Sequence, residues 1–150
     1  LASGFKFGLE KLLEIRIEKE EESKRLFTES QREKQLAEYK LQDLKKSYEK
    51  YSGINKGESL VYQKIKKNYL FALNKGIDIT EKEVVIKNKE VEIRRDDLIQ
   101  KQVERKTVDI LKEKQKLAYD IEQNRLEQIS NDEFALYAYM RTQGREVKSR

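Results

Sequence analysis

The chain has 150 residues, of which 41% are charged and 37% hydrophobic, with 33 basic against 28 acidic side chains and a net charge of +5. So many charges cannot be buried unpaired, which excludes a conventional globule and favours a thin body with high surface per residue. The absence of Cys and His excludes disulfides, thiol chemistry and an ordinary zinc site, and the absence of Pro removes the strongest helix breaker.

The opening residues LASGFKFG are too short and mixed for a signal peptide, and no run approaches the roughly 20 apolar residues needed to span a bilayer. The expectation is a soluble, cytoplasmic chain. Leu1–Gly4 precede the helical pattern and read as a tag remnant. High charge also suits a disordered chain. Here the charges are mixed, and Leu, Ile, Val and Tyr recur at helical spacing, so helix is the better reading.

The first predicted helix covers residues 8–52. Leu9, Leu13, Arg16, Glu20, Ser23 and Phe27 open a seam whose steps alternate three and four. Ser30, Lys34, Ala37, Leu41, Leu44, Tyr48 and Tyr51 continue it. The seam is polar between Arg16 and Ser23, where Ile15, Ile17 and Leu26 lie just off it. At 1.5 Å per residue the helix is about 65 Å long. A turn over residues 53–58 follows, with two glycines and an asparagine among Ser52–Gly57 to ease chain reversal. A connection this short predicts an antiparallel return.

The second predicted helix covers residues 59–141. Ile65, Tyr69, Ala72, Gly76, Ile79, Ile86 and Ile93 form one seam. Ile77, Val84, Val91 and Leu98 form another stripe, and Val103, Ile110 and Leu117 a third. No single register accommodates all three, which predicts a seam that slides around the helix. Strand is excluded because period-two alternation never persists and Lys and Glu occupy both faces. Gly76 costs about 1 kcal/mol in a helix interior. Thr80–Glu83 has the spacing of a capping box, so a break at residues 76–80 competes with one continuous helix, which is favoured.

An antiparallel partner starting near Leu9 reaches to about Lys101 on the second helix. Beyond it, Val103, Ile110, Leu117, Ile121 and Phe134 need another chain or remain exposed. Phe134, Leu136, Tyr137, Tyr139 and Met140 crowd a charged helix end. They either cover the hairpin's open end against Leu9, Leu12 and Leu13 or dock a partner. Gly144 and the polar residues after it are expected to fray.

Composition offers little for chemistry. Lys and Glu interleave, so no single-signed field extends far, and nucleic acid is not an expected partner. A two-helix body has no cleft for general acid–base catalysis. Carboxylate pairs such as Glu21–Glu22 and Asp96–Asp97 read as solvated faces, and no phosphate-binding G-x-x-x-x-G-K-[ST] loop occurs. No catalytic residue, cofactor or metal is expected. The fold class is all-α, a long antiparallel two-helix coiled-coil hairpin forming one domain over residues 1–150.

Phe5–Arg16 (FKFGLEKLLEIR), Tyr69–Ile77 (YLFALNKGI) and Gln123–Ala135 (QNRLEQ followed by NDEFA) resemble the FliJ family, the small coiled-coil component of the flagellar type III export apparatus. The resemblance covers nearly the whole chain. It implies an antiparallel coiled coil like the central stalk of rotary ATPases, docked in the hexameric export ATPase ring and promoting its assembly. It also implies a link to the FlhA export gate, escort of unloaded export chaperones, and peripheral association with the membrane at the flagellar base. The chain alone is expected to be a monomer. The family engages the gate through Phe, Leu and Ala at i, i+4 and i+7, which fall here on Tyr69, Leu73 and Gly76, with Thr80 one turn further. Tyr keeps the ring and adds a polar tip, and Gly keeps the small size and loosens the helix. The expected ATPase-facing residues are Arg16, Arg125, Asp132, Glu133 and Phe134, with Glu14 an alternative partner for Arg125. The alternatives are a generic structural rod or homo-oligomerising tether, and the equivalent stalk of a virulence secretion system.

Overall fold

The computed structural model describes residues 4–53 and 55–148. It is an all-α hairpin of α1 (Glu10–Ser52) and α2 (Leu60–Lys148). Leu1–Ser3 and Ile54 lie outside the described residues, as do Ser149 and Arg150. The helices form where Lys, Glu, Gln and Leu dominate and proline is absent, all favourable intrinsic terms. Glu10 in the first turn and Lys50 in the last complement the dipole of α1. Same-helix ion pairs such as Lys24–Glu21, Lys82–Asp78 and Arg95–Glu92 each add about 0.2–0.5 kcal/mol. α2 runs without interruption through Gly76. Thr80 is therefore not a cap: its hydroxyl donates to the Gly76 carbonyl at 2.7 Å. α2 also extends through Gly144 to Lys148, past the expected end at residue 141.

The chain divides into two compact units, one of Leu1–Ile15 with Arg105–Arg150 and one of Arg16–Glu104.

In the Arg16–Glu104 unit the cross-helix contacts define an antiparallel register. Arg16 pairs with Glu104, and the Ser23 hydroxyl donates to the Asp97 carboxylate at 2.6 Å. Lys87 bonds Glu33 at 2.6 Å, Lys45 reaches Glu81 at 2.8 Å, and Tyr51 meets Tyr69 edge-on at 5.4 Å. Each step forward along α1 is matched by a near-equal step back along α2. The α1 seam follows its sequence pattern from Arg16 to Leu44, with Glu20, Ser23, Ser30 and Ala37 buried; nearer the turn Tyr48 is exposed and Ser47 is half-buried in its place.

The α2 seam departs from expectation. Leu70, Leu73, Ile77, Thr80, Val84, Lys87, Val91, Arg94, Leu98 and Lys101 all turn inward, in alternating steps of three and four. That is one unbroken register, not a sliding one. The stripe holding Ile65, Ile79, Ile86 and Ile93 faces outward. Small α1 side chains at Ser23, Ser30 and Ala37 let the backbones approach, and the facing positions include Thr80 and Val91, 2% and 3% exposed. Only one face of α2 can meet a single partner helix, and the isoleucine face is the one left over.

The turn is held by specific bonds. Gly57 takes φ +107°, which L side chains rarely adopt. The Ser59 hydroxyl caps α2 by accepting the Tyr62 N–H at 3.2 Å. Lys66 reaches back to the Gly53 carbonyl and pairs with Glu58 at 3.3 Å.

In the other unit, Phe7, Leu13 and Val108 form a small core joined by Phe5 and Leu12. Phe5 packs against Tyr119 with ring centroids 5.8 Å apart. Lys112 pairs with Glu10 at 2.8 Å and lies 5.9 Å above the Phe7 ring. The non-helical opening residues thus extend the covered part of α2 to Tyr119, beyond the expected limit at Lys101.

Candidate partner-binding surfaces

Among the described residues no group of three or more His, Cys, Asp or Glu side chains is placed to hold a metal. The surface grooves lie between charged side chains, one of them lined by Gln31, Arg32, Gln35, Glu38, Val91 and Arg95. No helix among the described residues is long and apolar enough to cross a membrane. What the molecule presents is helix surface.

The first surface is the C-terminal part of α2. Residues 124–145 are all exposed. Phe134 is 71% exposed, and Leu136, Tyr137, Tyr139 and Met140 are exposed with it. The aromatic residues therefore do not cover Leu9, Leu12 and Leu13; Leu13 is instead buried with Phe7 and Val108. Asp132 and Glu133 lie on the same exposed stretch. Arg125 holds Glu122 through two hydrogen bonds of 3.0 and 2.9 Å, in place of the expected alternative partner Glu14. That hydrogen bond holds the Glu122 carboxyl below its ordinary value and lifts the Arg125 guanidinium above its own. Arg16 lies in the other unit, half-buried and bound to Glu104. It is not part of this exposed stretch.

The second surface surrounds the expected gate residues. Tyr69, Leu73, Gly76 and Thr80 fall on adjacent turns of α2 but differ in depth. Leu73 and Thr80 are buried in the seam. Tyr69 is exposed and Gly76 half-buried at its edge, where Leu44 packs below Gly76. The four make a shallow ledge of one ring and one small residue, underpinned by the two seam residues. Sequence reasoning did not single out Phe5, Phe7, Ser59 or Lys66. The aromatic pair Phe5 and Phe7 before the first helix was the available signal for the first two, and a serine directly before the apolar Leu60–Val61 for the cap.

Val103, Ile110, Leu117 and Ile121 are all half or more exposed, because the opening segment packs on the side of α2 that carries Val108 and Tyr119.

Comparisons with curated proteins and with solved structures gave no significant match. Comparison with family models matched residues 5–144 to the flagellar FliJ protein. The match covers both helices, the turn and the aromatic opening segment, and on it the chain belongs to the FliJ family, components of the flagellar export apparatus.

Proposed function

We propose that the chain is a non-enzymatic stalk and adaptor that docks in the hexameric export ATPase ring, promotes ring assembly and hydrolysis, and links the ring to the FlhA export gate and to export chaperones. The observation that carries this reading is the exposed α2 stretch over residues 124–145, with Phe134, Tyr137 and Tyr139 uncovered. Exposed rings in a charged helix are expected where a partner supplies the missing cover. Asp132 and Glu133 flank the rings and give the contact direction toward basic groups of the ring pore. Arg16, held by Glu104, braces the hairpin in this reading.

The gate contact uses the ledge at Tyr69 and Gly76, with Leu73 and Thr80 setting its shape from below. In this reading the chain works at the inner face of the cell membrane through its partners. The test is hydrolysis by the cognate ATPase with and without the chain, together with co-elution at micromolar concentration. Stimulation that is lost in Phe134→Ala/Tyr137→Ala, with helicity unchanged, is the expected result. Unstimulated hydrolysis and no co-elution of the wild-type chain would sink the proposal. Tyr69→Ala should weaken capture by the gate protein and leave stimulation intact.

A further inference from the structure

The isoleucine stripe of α2 has no role in the hairpin or in the reading above. Ile65, Ala72, Ile79, Ile86 and Ile93 recur every seven residues on the face turned away from α1. The four isoleucines are 60–67% exposed. β-branched side chains in such a row, in a chain with this much charge, form a continuous apolar line where solvated residues would be expected. All of it lies inside one compact unit.

The charges beside the line are sorted by side. Lys75, Lys82 and Lys89 each follow a stripe residue by three positions, and Glu83 and Glu90 each follow one by four. On a helix, i+3 and i+4 fall on opposite sides of residue i. From Ala72 to Glu90 the stripe thus has a basic margin and an acidic margin, and Asp96, three past Ile93, ends the basic one. Two such helices laid antiparallel would put lysine beside lysine and glutamate beside glutamate. Laid parallel and in register, they put each lysine margin beside the partner's glutamates, Lys82 level with Glu83 and Lys89 level with Glu90. Flanking charges of this kind set orientation in helix pairs. The present ion pairs of these residues, Lys82–Asp78 at 3.2 Å, Glu83–Lys40 at 3.8 Å and Glu90–Lys87 at 3.6 Å, are long or exposed contacts that leave the second pairing accessible.

We infer that the outward face of α2 binds a second copy of this chain, parallel and in register, isoleucine against isoleucine. The occupant is a second copy because the two margins complement each other in one orientation only. Four isoleucines and the lysine stems per chain place the contact at the small end of specific interfaces, so association is weak and concentration-dependent. This goes beyond the stalk reading and replaces the monomer expected from sequence. It does not depend on the ATPase contact, which uses residues 124–145.

The test is sedimentation equilibrium of the full chain from about 1 to 500 μM, a span that brackets weak dimers. A monomer–dimer equilibrium is expected, with the dissociation constant raised at least tenfold by Ile79→Lys/Ile86→Lys. Both positions are exposed, so circular dichroism should show an unchanged fold. Lys82→Glu/Lys89→Glu alone should be monomeric, and mixing it with Glu83→Lys/Glu90→Lys should restore dimers. The chain has no cysteine, so Ala72→Cys offers a single thiol on the stripe. Parallel pairing brings the two copies of residue 72 together, and oxidation should link them. A wild-type chain that stays monomeric at 500 μM would overturn the inference. So would dimers insensitive to the isoleucine changes, or Ala72→Cys dimers that fail to cross-link. Monomers whose capture by the gate protein falls with Ile79→Lys/Ile86→Lys would assign the stripe to that partner, against the inference.

Discussion

Replacing Gly76 by alanine should stabilise the hairpin. Gly76 sits inside a continuous α2 and not in a left-handed turn, so alanine can adopt its backbone conformation. Relative to alanine, glycine in a helix interior costs about 1 kcal/mol, chiefly through the freedom it has when unfolded. A Cβ built there meets Leu44 Cδ1 at 3.7 Å and Cδ2 at 4.0 Å, ordinary van der Waals contact. Because the site is half-buried, a new methyl adds only part of the roughly 0.8 kcal/mol of a fully buried one. The sum is about 1–1.5 kcal/mol of added stability, or about 2–5 °C in Tm for a chain of this length. Urea unfolding followed by circular dichroism should show a raised midpoint with an unchanged slope. Gly57→Ala is the control of opposite sign, since φ +107° is strained for alanine at about 1 kcal/mol. If Gly76→Ala lowers the midpoint, either α2 bends at this residue or the Leu44 contact is too tight, and the packing argument fails.

Three further outcomes follow from packing and charge. Val91→Ala, at a site 3% exposed, should cost about 2 kcal/mol through lost burial and a small cavity, read as a lowered urea midpoint. Lys66→Met should cost about 1–3 kcal/mol, because Glu58 and the Gly53 carbonyl lose their shared cation and the other Glu58 carboxylate oxygen is already buried without a partner; hydrogen exchange should rise first at the turn. The hydrogen bond to Glu33, with the charges of Glu33 and Glu90, raises the Lys87 ammonium above its ordinary value against the opposing effect of burial. A raised folded value means its contribution is complete below the ordinary lysine range, about 10.4, and fades as pH climbs through the folded value. Thermal melts from pH 8 to 11 should therefore fall less steeply for Glu33→Gln than for the parent chain.

The fold was legible because its signals are local. The absence of proline, the glycines around Ser52–Gly57 and the α1 seam from Leu13 to Tyr51 pointed to two helices and a reversal. The inward face of α2 was not legible, for a physical reason. Hydrophobic pattern ranks stripes by greasiness, and the Ile79–Ile86–Ile93 stripe outranks one containing Thr80, Lys87 and Arg94. Packing ranks them by fit to the partner, and α1 offers small side chains at Ser23, Ser30 and Ala37 together with charges at Arg16 and Glu33. A seam built of threonine, valine and long cationic stems fits that profile, because the stems cover apolar surface while their heads reach carboxylates. The reach of the first segment was missed for a related reason. Phe5 and Phe7 precede the helix and carry no periodicity, yet they cover Tyr119 and Val108. The exposed end of α2 was legible only in part: the sequence left Phe134 and its neighbours either covering Leu9, Leu12 and Leu13 or docking a partner, and Phe5 and Phe7, which carry no periodicity, take the place at Leu12 and Leu13.

The same seam shows what sets its register. On α2 the residues that meet polar α1 side chains include Asp97 and Glu104, and Glu83 and Glu90 continue that acidic column at the same spacing of seven. Slipping α2 by seven residues would bring Asp97 to Arg16 and Glu90 to Ser23, so these two polar pairs survive the slip, while Glu33 would exchange Lys87 for Thr80 and Lys45 would exchange Glu81 for Asn74. The apolar column of Ile77, Val84, Val91 and Leu98 also repeats with the same period and would be nearly as well buried. Side-chain complementarity in this unit therefore specifies the face and the antiparallel direction, and it separates the two registers only through pairs such as Lys87–Glu33 and Lys45–Glu81. The connection adds to that discrimination, where Ser59 caps α2, Gly57 bends the chain and Lys66 ties Gly53 to Glu58. A connection of that length reaches one register and not its neighbour seven residues, or about 10 Å, away. The turn is thus more than a passive link: it fixes which α2 residues form the Tyr69–Gly76 ledge and how the isoleucine line is placed.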